Sequence, residues 1–141
     1  MIRPSIFPPD IVAGLSTRVG GVSRPPLGMN LSFKVGDLPE HVVRNRAIFF
    51  GGLGLSLARL AIPGQVHGAE VRRAGAPGEF PDCDALISNV PNVFLCVSTA
   101  DCVPILLLDP VRRAVGAVHA GWRGTVAKII PAAVHAMARD F

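Results

Sequence analysis

At 141 residues, half of them apolar and 17% charged, the chain suits one domain with a sizeable core and excludes a disordered segment. Its net charge of +4 comes from fourteen Lys and Arg against ten Asp and Glu. The arginines are dispersed, most as solvated surface, and one Trp with no Tyr argues against a nucleic-acid groove. Three cysteines do not make a secreted disulfide framework, and no stretch reaches the length of a signal peptide or membrane span. Free thiols, cytoplasmic residence and no membrane partner are the expectation.

Residues 1–36 read as strand and loop, with Ile11–Leu15 as a strand. Gly20-Gly21 suits a turn, or a close backbone approach with Arg18 or Ser23 bordering a ligand. Pro39–Leu53 reads as a helix opened by Pro39 and Glu40 and stopped by Gly51-Gly52, with His41, Asn45 and Arg46 on its surface. Ala61–Val71 is expected as a loop entering a short strand, and it carries His67 beside Gly68. Residues 72–82 read as loop. Asp82–Ser88 reads as the acidic opening of a strand, in which Asp84 is either a turn residue or a carboxylate at a site. Cys83, between two carboxylates, is expected to hold its proton. Val93–Ser98 reads as a buried strand with Cys96 in the core.

The most informative stretch is Thr99–Thr125. Two apolar runs, Val103–Leu108 and Ala114–Val118, flank Asp109-Pro110-Val111-Arg112 and predict a hairpin. A two-residue turn at Pro110-Val111 sets Cys102 opposite His119, with Cβ atoms about 4.5–5.5 Å apart. Pro104 donates no ladder bond, which suits an edge strand. Beyond the hairpin, Thr125 is expected to cap a helix over Val126–Arg139, kinked at Pro131, with His135 on its surface.

His67, Cys102 and His119 are two imidazoles and a thiolate, the donor types of a catalytic zinc site with one position open. Asp101 or Asp84 would orient or deprotonate a water there, and Arg123 would hold an anion. The same trio resembles a blue-copper set lacking its axial ligand. A metal-free alternative makes Cys102 the nucleophile and His119 its base.

The motifs Gln65-Val66-His67-Gly68, Thr99-Ala100-Asp101-Cys102-Val103-Pro104 and His119-Ala120-Gly121-Trp122-Arg123-Gly124-Thr125 resemble the bacterial multicopper polyphenol oxidoreductase (laccase-type) family. That family includes the peptidoglycan editing factor and a purine nucleoside enzyme. Arg18–Ser23, Asn30-Leu31, Gly36-Asp37 and Asn45-Arg46 fit its N-terminal pattern. The resemblance implies a single α/β (α+β) domain over 1–141, with mixed sheets sandwiched by helices as in the catalytic domain of cytotoxic necrotizing factor. Family members continue beyond the last helix of this chain. It further implies metal ligands His67, Cys102 and His119, with Cys102, His119, Asp101 and Arg123 in catalysis and Arg18, Ser23, Asn30 and Arg46 toward substrate. The implied cofactor is zinc, with copper as the alternative. The implied activity is phosphorolysis of adenosine, inosine, guanosine and methylthioadenosine, with adenosine deamination. The alternatives are a copper polyphenol oxidase, a metal-free Cys–His hydrolase, and a peptidoglycan-precursor editing factor.

Overall fold

The computed structural model describes residues 1–141 as two compact units, Met1–Leu57 and Ala58–Phe141. In the first unit, one helix, α1 (Pro39–Gly52), serves as scaffold for an irregular chain. Pro39 occupies its first turn with Glu40, as expected, and no side chain caps it. The helix runs through both Gly51 and Gly52. The left-handed stop falls instead at Gly54 (φ 74°), a conformation costly for any side chain with a Cβ. Ile11–Leu15 forms no strand. Its one ladder contact is the Ile2–Leu15 bridge, since no neighbouring strand exists to extend it.

Asn45 is not a surface residue. It is fully buried, and its amide organises the loop that precedes the helix. Oδ1 accepts from the Val22 N–H (2.8 Å), while Nδ2 donates to Ser23 Oγ and to the carbonyls of Gly28 and Asn30. Close packing of the same loop requires glycine at position 21, where a Cβ would lie 2.2 Å from the Gly28 carbonyl oxygen.

The second unit holds seven strands: β1 (Leu60–Pro63), β2 (Val71–Arg73), β3 (Gly78–Phe80), β4 (Ala85–Ser88), β5 (Phe94–Leu95), β6 (Val103–Asp109) and β7 (Ala114–Ala120). They form a parallel sheet ordered β3-β1-β5 and a mixed sheet ordered β2-β4-β7-β6. Three expectations change here. Ala61–Pro63, Arg72-Arg73 and Gly78–Phe80 lie in strands where loop was expected, because each borrows its ladder from a distant partner. Only Phe94–Leu95 of the Val93–Ser98 run is strand, and both residues are half-buried, as is Cys96.

Strand β4 is buried on both faces and sits between layers. Leu86 packs with Ala61, Ala74, Cys83 and Val93 on one side. Ala85 and Ile87 pack on the other side against Ile129, Ala133, Ala136 and Met137 of α3 (Ile129–Asp140). Each large aliphatic side chain buried there contributes about 1.5–3 kcal/mol. The expected single helix over Val126–Arg139 is two helices. A short α2 (Trp122–Val126) ends before Lys128, whose φ of 63° breaks the helix, and α3 follows. Thr125 caps neither helix, its hydroxyl donating back to the Gly121 carbonyl (2.9 Å). Pro131 falls in the first turn of α3, where a missing N–H costs nothing, so no kink forms.

The hairpin forms with β6 at the sheet edge, as Pro104 required, but its register differs from the expected one. Asp109 pairs with Ala114, and Pro104, not Cys102, stands opposite His119. The cause lies in the turn. Asp109 Oδ1 accepts the amides of Val111 and Arg112 (2.9 Å each), and Arg113 takes φ 51°, closing a four-residue loop. The shift is two residues rather than one, so Cys102 and His119 remain on the same face as diagonal neighbours.

Candidate metal centre

Three segments of the second unit bring the candidate ligands together. His119 is the penultimate residue of β7, Cys102 immediately precedes β6, and His67 lies in the loop between β1 and β2. Their ligating atoms all lie within 4.8 Å of one another. The two imidazole rings stand edge to face, with centroids 4.9 Å apart. His119 is buried, Cys102 half-buried and His67 exposed, so the cluster opens toward solvent at His67.

The loop that carries His67 is held in an unusual conformation. Gln65 (φ 55°) and His67 (φ 62°) both adopt left-handed backbone, which costs a non-glycine residue of order 1 kcal/mol or more. Two side chains hold the loop there. The Gln65 amide makes a two-way bond with the Ser98 backbone, donating to its carbonyl (2.7 Å) and accepting its N–H (2.8 Å). That bond ties the His67 loop to the segment leading into Cys102. Asp84 accepts the N–H groups of Val66 (3.1 Å), His67 (2.9 Å) and Gly68 (2.8 Å).

Asp84 also faces His119. The β4–β7 register pairs Ala85 with Val118, so the preceding Asp84 falls opposite His119, and Asp84 Oδ1 lies 2.8 Å from His119 Nδ1. Burial pushes this carboxyl's pKa upward. The hydrogen bonds from His119 and from the Gly68, His67 and Val66 amides outweigh that burial and hold it below the usual carboxylate range. An ionised Asp84 accepts only, so a hydrogen bond across this contact requires the proton on His119 Nδ1.

Two glycines keep the site open. A Cβ on Gly121 would sit 3.2 Å from both Cys102 Sγ and His67 Cδ2. A Cβ on Gly124 would meet the Gly68 carbonyl oxygen at 2.5 Å. The glycine brackets around Trp122-Arg123 therefore record close packing of the His67 loop against the start of α2.

Other predicted site residues fall as follows. Asp101 is exposed, its carboxylate 3.8 Å from Cys102 Sγ. Desolvation first, then the Asp101 charge, raise the Cys102 thiol, which disfavours a free thiolate. Cys83 is also raised, but chiefly by burial rather than by the neighbouring carboxylates. Arg123 is exposed and lies over the Trp122 ring at 5.3 Å.

Arg18, Ser23, Asn30 and Arg46 belong to the first unit. Ser23 Oγ and Asn30 Nδ2 both donate to Asp37 (2.6 and 2.9 Å). Arg46 Nε donates to the Leu31 carbonyl (2.8 Å), with its guanidinium over Phe33, while Arg18 is exposed. Sequence reasoning singled out the three donors but missed Gln65 as a tie. It left Asp84 between two roles. No signal in the sequence separates those roles; the antiparallel pairing of β4 with β7 does, by setting the aspartate against a histidine.

The donor set fits a metal ion. Two imidazoles and a thiol converge, one imidazole is oriented from behind by a carboxylate, and the mouth is open. No helix in the chain is long and apolar enough to cross a membrane.

Comparison with known proteins agrees with the motifs. A purine nucleoside phosphorylase of Deinococcus radiodurans is 47% identical over 115 residues, covering 81% of this chain and 45% of the relative. Purine nucleoside phosphorylase YfiH of Escherichia coli is 39% identical over 133 residues, covering 93% and 54%. The crystal structure of the Bacillus licheniformis hypothetical protein YfiH superposes with a TM-score of 0.82 at 32% identity, covering 87% of this chain and 50% of that one. The chain thus spans about half the length of these relatives. The family model described as multi-copper polyphenol oxidoreductase laccase matches residues 12–141, and the chain belongs to that family.

Proposed function

We propose that the chain carries the metal centre of a purine nucleoside phosphorylase, with zinc held by His67, Cys102 and His119. The convergence of those three donors carries the reading. The relatives, named purine nucleoside phosphorylases, supply the substrate class, a purine nucleoside with phosphate. The raised Cys102 thiol disfavours an unassisted nucleophile, because burial and Asp101 retain its proton. Zinc bound there supplies Lewis-acid polarisation.

The chain's own residues complete the proposal. Asp84 holds the His119 proton at Nδ1. Asp101, exposed beside Cys102, would take the proton of the attacking hydrogen phosphate and pass it to the departing purine nitrogen. The exposed Arg123 guanidinium binds the phosphate anion. Within the first unit, Ser23 and Asn30 shape the loop through Asp37, and Arg46 is held on the Leu31 carbonyl. The proposed substrates are adenosine, inosine, guanosine and methylthioadenosine, with adenosine deamination as a second activity.

Elemental analysis of the chain beside His119→Ala tests the centre. About one zinc per chain in the wild type and none in the variant is expected. Free-base release that needs phosphate then identifies phosphorolysis, and ammonia release identifies deamination. A zinc-loaded chain that releases base equally without phosphate overturns the phosphorylase reading. A copper oxidase is the second reading, favoured by the family's description and by a His₂Cys donor set. It predicts copper instead of zinc, visible colour and oxygen uptake with phenols.

A further inference from the structure

We infer that Asp84 is a positioning residue that sets both imidazole ligands at once, and that its two oxygens divide the task. This rests on the metal reading above. Oδ1 receives the His67 N–H at 2.9 Å and faces His119 Nδ1 at 2.8 Å. Oδ2 receives the Val66 and Gly68 N–H groups at 3.1 and 2.8 Å. One fully buried carboxylate therefore fixes the left-handed backbone of the first histidine and the tautomer of the second. The backbone adds a further link, His119 N–H donating to the Asp84 carbonyl at 2.7 Å.

Three backbone N–H donors and His119 Nδ1 surround the group, and the backbone donors alone occupy both oxygens, so only an acceptor at both positions satisfies them. Asparagine has one acceptor. With its oxygen toward His119, its NH₂ meets the N–H groups of Val66 and Gly68, and the loop that holds His67 must move. With the amide reversed, its NH₂ meets the His67 N–H and also donates to His119 Nδ1. That second arrangement moves the ring proton to Nε2, the nitrogen a metal needs bare. Either way one imidazole is lost as a well-placed ligand. Removal of a carboxylate behind a ligating histidine lowers metal affinity about 10–100-fold.

The test measures two quantities on the whole 141-residue chain. Zinc affinity is read by competition with a chromophoric chelator for wild type and Asp84→Asn. The His119 tautomer is read from imidazole ¹⁵N shifts without metal, assigned with His119→Ala. The expected results are Nδ1–H His119 in the metal-free wild type and, in Asp84→Asn, affinity down about 10–100-fold with proton density moved to Nε2 or His67 displaced. A wild-type ring protonated on Nε2, or a folded Asp84→Asn with wild-type affinity, overturns the inference. If Asp84→Asn does not fold, the wild-type tautomer decides. If the wild type takes up no zinc, the metal reading fails, and the tautomer still judges Asp84 separately.

Discussion

Asn45 in the first unit and Asp84 in the second are both fully buried polar side chains, and each holds a loop through several hydrogen bonds. They differ in what they offer. The Asn45 amide donates and accepts, so it closes on the carbonyls and the one N–H of its own neighbourhood and is satisfied there. The Asp84 carboxylate only accepts, and its partners are three consecutive backbone N–H groups and an imidazole. A neutral amide completes a structure. The buried carboxylate sits behind a histidine whose ring also belongs to the His67, Cys102 and His119 group. The lesson is that burial and bond number do not separate a scaffold residue from a site residue, whereas the kind of partner does.

The comparison breaks most directly at the proposed ligands. Cys102→Ala should take the chain from about one zinc to none, while the first unit, judged by amide shifts around Asn45, stays unchanged. Asn45→Ala should do the reverse. It strands the Val22 N–H and the partners of Nδ2, costing about 2–4 kcal/mol in denaturant titration, with zinc stoichiometry retained. If Asn45→Ala also emptied the metal site, the division of labour would be wrong.

Gly124→Ala sharpens the contrast, because it should lower both quantities. Its Cβ would press the Gly68 carbonyl beside His67, for about 1–3 kcal/mol of stability and a measurable drop in zinc affinity. The smallest effect concerns acid. Hydrogen bonds from Ser23 and then Asn30 hold the Asp37 carboxyl below its ordinary value of 3.8. A depressed folded-state pKa contributes stability that is fully present above the unfolded value. That stability is lost as pH falls through the folded one. Stability measured from pH 5 downward should therefore decline below about pH 4, and Ser23→Ala should flatten that decline.

Much of the site was legible in the chain alone. Two imidazoles and a thiol are donor types that suit a metal site or a Cys–His pair, and that chemistry is local to each residue; the fold brings their ligating atoms within 4.8 Å. The hairpin was legible from its apolar runs. Even with the register misjudged, parity kept Cys102 and His119 on one face. The α1 helix was legible from Pro39, but the burial of Asn45 was not, since a polar residue on an amphipathic helix carries no mark of the loop that will cover it.

What only the tertiary structure decided depends on pairing between distant segments. Asp84 in its Asp82–Ser88 context is indistinguishable from a turn aspartate until β4 pairs with β7 and sets it against a histidine 35 residues away. The parallel ladders of β1 with β3 and β5 join strands too short to show a period of their own. The break at Lys128 sits where a helix-forming side chain takes a left-handed backbone, against its own preference. The sequence determined which chemistry is available, because donor atoms belong to residues. Folding determined their orientation, because a hydrogen bond between strands is a property of neither strand alone.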